Sequence, residues 1–176
     1  MESNDNRKMK LWIEPGFPRK GWTLDNVVDL NEDEGLGFDD YESCQACSRE
    51  RIRFVHVLRH PDYTTTIRVG CVCSQRLTED YVNPRRKESD LRKFARRRAK
   101  FLNHGWHTQF DGQILRTMKG YIVALVPTND RRFKIWLGEK EGKLAYQSER
   151  EAKLKAFQVI EHYKERGREG EFKRPC

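Results

Sequence analysis

No stretch of this chain approaches the ~18 consecutive apolar residues that a membrane-spanning helix needs. Mean hydropathy is −0.92. Residues Met1 to Lys10 are polar and charged. They lack the apolar centre of an export leader, so a cytoplasmic location with reduced thiols is the expectation. Several catalytic signatures are also missing. There is no Gly-x-Ser-x-Gly, no Walker phosphate loop and no His-Glu-x-x-His. Acids are in the minority, 27 against 35 Lys and Arg in 176 residues, for a net charge of +8. Hydrophobic residues make up only 36%, which predicts a thin core and favours an added stabiliser such as a metal. Aromatics at 11%, four of them Trp, supply enough buriable area to argue against disorder throughout.

The charge is unevenly spread. Residues 1–83 carry 11 Lys and Arg against 15 Asp and Glu, whereas residues 84–176 carry 24 against 12. All the positive excess therefore follows Asn83-Pro84, which points to a polyanionic partner for the second half. A basic face kept only for solubility is the plainer alternative.

Cys44, Cys47, Cys71 and Cys73 are spaced as C-x2-C, 23 residues, then C-x-C. In a reducing compartment, paired cysteines read as metal ligands before disulfides. Four thiolates suit a closed, tetrahedral, structural Zn²⁺ site. The C-x-C departs from the commoner C-x2-C, so two alternatives stay open. His56 or His60 replaces a sulfur, or Cys71 is a plain buried thiol. A redox dithiol would call for a thioredoxin-like βαβ setting, which is not visible. Cys176 has no partner in sequence and reads as an incidental exposed thiol.

The segment Tyr41 to Asp80 resembles a treble-clef zinc module, with a knuckle, a hairpin and a helix whose start supplies ligands. With its C-x2-C, His60-Pro61-Asp62 turn and Arg68-Val69-Gly70-Cys71-Val72-Cys73 run, it is also similar to uncharacterised bacterial and phage proteins, a resemblance that implies no activity. Leu58-Arg59-His60-Pro61 superficially resembles the first His of HNH-type nucleases. The helix expected after Cys73 has no second His for a catalytic metal, so a degenerate nuclease is a minor alternative.

Turn chemistry is expected at Pro15 to Pro18, and strands at Trp22 to Leu30, Arg51 to Leu58 and Thr64 to Val69. The acid-rich stretch Asn31 to Glu42 reads as a loop, and Ser74 to Asp80 as a short helix. Asn83 is placed to cap a helix running to Asn103 with Pro84 in its first turn. Leu91, Phe94, Ala95, Ala99 and Leu102 form its apolar stripe. The same helix carries Arg85, Arg86, Lys87, Arg92, Lys93, Arg96, Arg97, Arg98 and Lys100, opposed only by Glu88 and Asp90. Such a rod suits phosphate binding.

Short strands are expected around Asp111-Gly112. Three stronger ones follow at Tyr121 to Val126, Phe133 to Leu137 and Leu144 to Gln147. A Ser148 to Glu151 capping box then opens a helix burying Ala152, Ala156, Val159, Ile160 and Tyr163. This unit resembles β3α modules of the AP2 and integrase arm-binding type. The resemblance implies DNA contacts from Arg131, Arg132, Lys134 and Trp136.

The sequence thus predicts an α+β chain. A zinc module spans 1–83, a basic linking helix 84–104, a three-stranded antiparallel sheet with one helix 105–165, and a charged tail 166–176. The expected function is non-enzymatic nucleic-acid binding, DNA or RNA, with structural zinc. An adaptor docking an acidic protein, of phage origin, is the alternative.

Overall fold

The computed structural model describes residues 11–31, 41–49 and 51–173. The expected acidic loop, apart from its ends, and Cys176 lie outside them, as do residues 1–10. Among the described residues three α-helices and two antiparallel sheets make an α+β arrangement, divided into compact units 1–94 and 95–176. Among the described residues no helix is long and apolar enough to cross a membrane.

The first unit holds strands β1 (Thr23–Asp29), β2 (Phe54–His60) and β3 (Tyr63–Val69), ordered β1-β2-β3. Helix α1 (Cys71–Thr78) follows β3 directly. Alternation in β2 places Phe54, His56 and Leu58 on one face, all buried. Leu58 pairs with Ile67 and His56 with Val69 across the hairpin, and α1 covers the sheet with Leu77. An aromatic group closes the core. Trp22, 3% exposed, stacks on Phe17 at 5.4 Å and meets Tyr63 at 5.4 Å. Its indole N–H donates to the Pro18 carbonyl at 2.6 Å, so burial leaves no orphan donor. A 3-10 turn at Leu11–Ile13 is tied to the cysteine knuckle by Leu11 N to Gln45 O (3.1 Å) and Trp12 N to Ala46 O (3.4 Å).

Helix α2 (Asn83–Asn103) crosses the boundary between the units, which falls between Phe94 and Ala95. Asn83 is its first residue, where the sequence placed a cap. The Asp80 carboxylate accepts the N–H groups of Val82 and Asn83 at 2.9 Å each, satisfying donors that a helix start leaves open. At 100° per residue, Phe94, Arg98, Leu91, Leu102 and Ala95 share one side of α2, and Arg85, Arg86, Arg92, Lys93, Arg96, Arg97 and Lys100 share the other.

In the second unit the sheet has five strands where the sequence suggested three. These are β4 (Trp106–Thr108), β5 (Ile114–Met118), β6 (Tyr121–Pro127), β7 (Phe133–Leu137) and β8 (Lys140–Tyr146), in sequence order. The short strands around Asp111-Gly112 pair into the same sheet, Thr108 opposite Ile114. β8 begins at Lys140, four residues before the expected start, because Gly138-Glu139 alone makes the β7–β8 turn. Helix α3 (Glu149–Glu165) packs on β6, β7 and β8. Ser148 caps it, accepting from Glu151 N at 3.1 Å, and the Glu151 carboxylate reaches back to Gln147 N. Phe157 is buried on α3, while Val159 is 38% exposed, contrary to the expected stripe.

Of the stretch 166–176, expected to be only a charged tail, the described part to residue 173 is anchored. Phe172 is 3% exposed and packs on Tyr163 (4.6 Å) and Tyr121 (5.6 Å). Gly138, with φ +61°, lets this backbone in. A Cβ there would stand 2.1 Å from the Phe172 carbonyl oxygen. Phe172→Ala is expected to cost ~3 kcal/mol of stability, as large-to-small core changes do, read as a lowered denaturant midpoint. A change below ~0.5 kcal/mol would show the tail to be unanchored.

Candidate metal centre and basic surface

The knuckle forms because the chain turns back on itself after Cys44. Ser48 N donates to Cys44 O (2.7 Å) and Cys44 N to Arg49 O (2.8 Å), with Ser48 at φ +60°. Gln45 joins it to β3, its N–H donating to Arg68 O (3.0 Å) and its side-chain oxygen accepting from Arg68 N (2.7 Å). Arg68 also grips Glu42 with two bonds of 2.8 Å, the planar fork matching the carboxylate. The knuckle is thereby held against the point where β3 gives way to α1. There Gly70 N donates to Cys44 Sγ at 3.4 Å.

The structure brings together three of the four expected ligands. The sulfurs of Cys44, Cys47 and Cys73 lie within 4.8 Å of one another and form no disulfide. Tetrahedral Zn²⁺ with Zn–S bonds of ~2.3 Å spaces its sulfurs ~3.8 Å apart, so a small inward movement brings these three to ligand spacing. Cys71 stands elsewhere. Residues 71 and 73 lie two apart on a helix, which separates their side chains by about 200° around the axis. Cys71 joins His56 and Glu88 in a second group, also within 4.8 Å. His60 belongs to neither group. It ends β2, accepts Asp62 N at 3.1 Å and rests beside Trp22.

Without a metal the cluster shares protons unequally. Hydrogen bonding from Cys73 pulls the Cys44 thiol down to about 5 against its burial, helped by Gly70 N–H and Cys47. Cys73 is pushed well above the ordinary thiol range by the same bond and by burial. Burial, with the Glu88 charge beside it, raises Cys71 to about 11. Burial lowers His56 and keeps its imidazole neutral. Both groups border a cleft of about 810 Å³, edged by Arg49, Arg51, Arg53, Arg76 and Arg92. Arg53 is held by Asp29 (2.7 Å), Arg51 lies over Tyr41, and Arg92 lies over Phe54.

The expected basic contacts divide into three groups. Arg98 is 3% exposed on the apolar side of α2, so it is withdrawn from the surface that sequence reasoning gave it. Others already hold carboxylates. Arg92 pairs with Glu88 (2.6 Å), Lys93 with Asp90 (3.4 Å), Arg97 with Glu161 (2.7 Å) and Lys134 with Glu141 (2.7 Å); Arg132 pairs with Asp130. Arg85, Arg86, Lys87, Arg96, Lys100 and Arg131 are exposed, with no ion pair to another described residue. Trp136 pairs with Ala124 and Lys134 with Val126, which puts both on the sheet face opposite Leu125 and Ile135. Trp136 is half-buried there.

Searches of family profiles, curated proteins and solved structures find no match to this chain.

In reduced, metal-free protein, ultraviolet thiolate absorbance should rise in separate steps. Cys44 ionises with a midpoint about 5, and Cys71 resists until about 11. A single step near the ~8.5 of free cysteine would contradict the hydrogen-bonded arrangement.

Proposed function

We propose that this chain is a cytoplasmic, non-enzymatic nucleic-acid-binding protein whose first unit is a treble clef built on structural zinc. The zinc is held by Cys44 and Cys47 of the knuckle and by Cys73 from the first turn of α1, with β2 and β3 as the hairpin between them. Thiolate donors favour Zn²⁺ over Mg²⁺ or Ca²⁺. The metal ties knuckle, hairpin and helix together where the apolar core is thin. Cys47→Ser is expected to remove that ion and melt the first unit while the second keeps its own transition. Metal analysis and circular dichroism read both effects. A folded, zinc-free wild-type protein would exclude the structural role.

The observation that carries the binding reading is the exposed side of α2. Arg85, Arg86, Arg96 and Lys100 stand on it without acidic partners among the described residues. A solvated helix would ordinarily intersperse both signs. Guanidinium groups bind phosphate oxygens bidentately, so a helix of ~30 Å presents its arginines as a row of phosphate ligands. Lys87 and Arg131 are further exposed cations without an ion pair among the described residues.

Anisotropy titrations with single- and double-stranded DNA and RNA test this reading. If about five phosphates of a duplex are neutralised, the log–log salt slope is near −4.5. Arg96→Glu with Lys100→Glu should weaken binding at least ~10-fold and flatten the slope by roughly two counterions' worth. Arg98→Ala should leave the slope unchanged, because that side chain is inside. Absence of binding to any of the four at low salt would overturn the reading and leave an acidic protein partner for this surface.

A further inference from the structure

We propose that His56, Cys71 and Glu88 form a second transition-metal site, separate from the Cys44, Cys47 and Cys73 cluster. The three come from different elements. His56 is central in β2, Cys71 opens α1, and Glu88 lies in the second turn of α2. Their donor atoms lie within 4.8 Å of one another. His56 Nε2 and Glu88 Oε2 are 3.8 Å apart, close to the spacing that a tetrahedral ion with bonds of ~2.0–2.3 Å imposes on its ligands.

Other features fit a site better than packing alone. His56 is fully buried; its Nε2 lies 3.2 Å from the Pro84 carbonyl oxygen and its Nδ1 meets no hydrogen-bond partner, an arrangement that costs free energy if nothing takes up that nitrogen. The Glu88 carboxylate, 13% exposed, gives Oε1 to Arg92 and leaves Oε2 facing the imidazole. A bound cation would accept a lone pair from Glu88 Oε2 and one from a ring nitrogen of His56. An imidazole, a thiolate and a carboxylate together suit Zn²⁺ or Co²⁺, and the thiolate disfavours Mg²⁺ and Ca²⁺.

Three protein ligands leave one coordination position, as in metal sites that accept solvent or a small anion. Cys71 and Glu88 both line the cleft, whereas His56 lies behind them, so the remaining position opens towards the arginine-lined space. Gln75 Nε2, which donates to Cys71 Sγ at 3.6 Å, would steady the thiolate. The proposal is independent of the nucleic-acid reading and concerns the first unit alone.

Cobalt titration of the whole chain, stripped of metal and kept reduced, provides the test. Wild-type protein should take up about two Co²⁺. One carries the intense sulfur-to-cobalt absorption of a three-thiolate ion, and the other a much weaker band. Cys71→Ser, His56→Gln and Glu88→Gln should each lower the stoichiometry from about two to about one and leave the intense band in place. Glu88→Gln decides the matter should the buried His56→Gln variant fail to fold. Uptake of a single ion by wild-type protein would overturn the proposal. So would loss of the intense band in Cys71→Ser, which would make Cys71 a ligand of the first ion, or a second ion indifferent to Glu88→Gln.

Discussion

The bond from Gly70 N–H to the Cys44 sulfur fixes the first unit. It joins the knuckle to the strand end at the point where the chain turns into α1, and a thiol buried in the core accepts it. Cys73 leaves from the same turn, so whatever sets Gly70 also sets the third sulfur. The Arg68 fork on Glu42 and the Gln45 bonds to β3 hold the knuckle from its other side. If this junction were displaced, three sulfurs would part and the aromatic group around Trp22 would lose its floor, because Cys44, Ala46 and Cys73 belong to the same core cluster.

A thin apolar core explains why polar chemistry is drawn inside. Buried or half-buried in the first unit are an imidazole, four thiols and two arginine–carboxylate forks. Each carries a desolvation cost that a partner must offset. The second unit meets the same shortage differently. Its core is a sheet face of Val123, Leu125, Ile135 and Leu137 under α3, sealed by Phe172 from the 3-10 turn Glu169–Phe172.

Charge on α2 carries two meanings that composition cannot separate. Some cations balance acids within the fold, as Arg97 does with Glu161. One is buried, and the remainder face solvent. Only this last group can meet a phosphate at little cost, since a cation already paired must first give up its carboxylate. The number of functional charges is therefore smaller than the number in the sequence.

Period and punctuation in the sequence determined the elements. Alternation marked β2 and β7, the run Tyr121 to Val126 marked β6, and Ser148 with Glu151 marked the start of α3, because these signals act within a few residues of the chain. The C-x2-C knuckle was legible for the same reason. Arg98 also had a local signal that charge counting passed over, its place at helical spacing between Phe94 and Leu102. Tertiary structure alone decided the rest. The pairing of β4 and β5 with the main sheet and the anchoring of Phe172 depend on partners distant in sequence. So does the parting of Cys71 from Cys73. Spacing shows that two cysteines lie near one another along the chain, but the helix turns them about 200° apart, and only the tertiary structure shows that His56 and Glu88 lie beside the first of them.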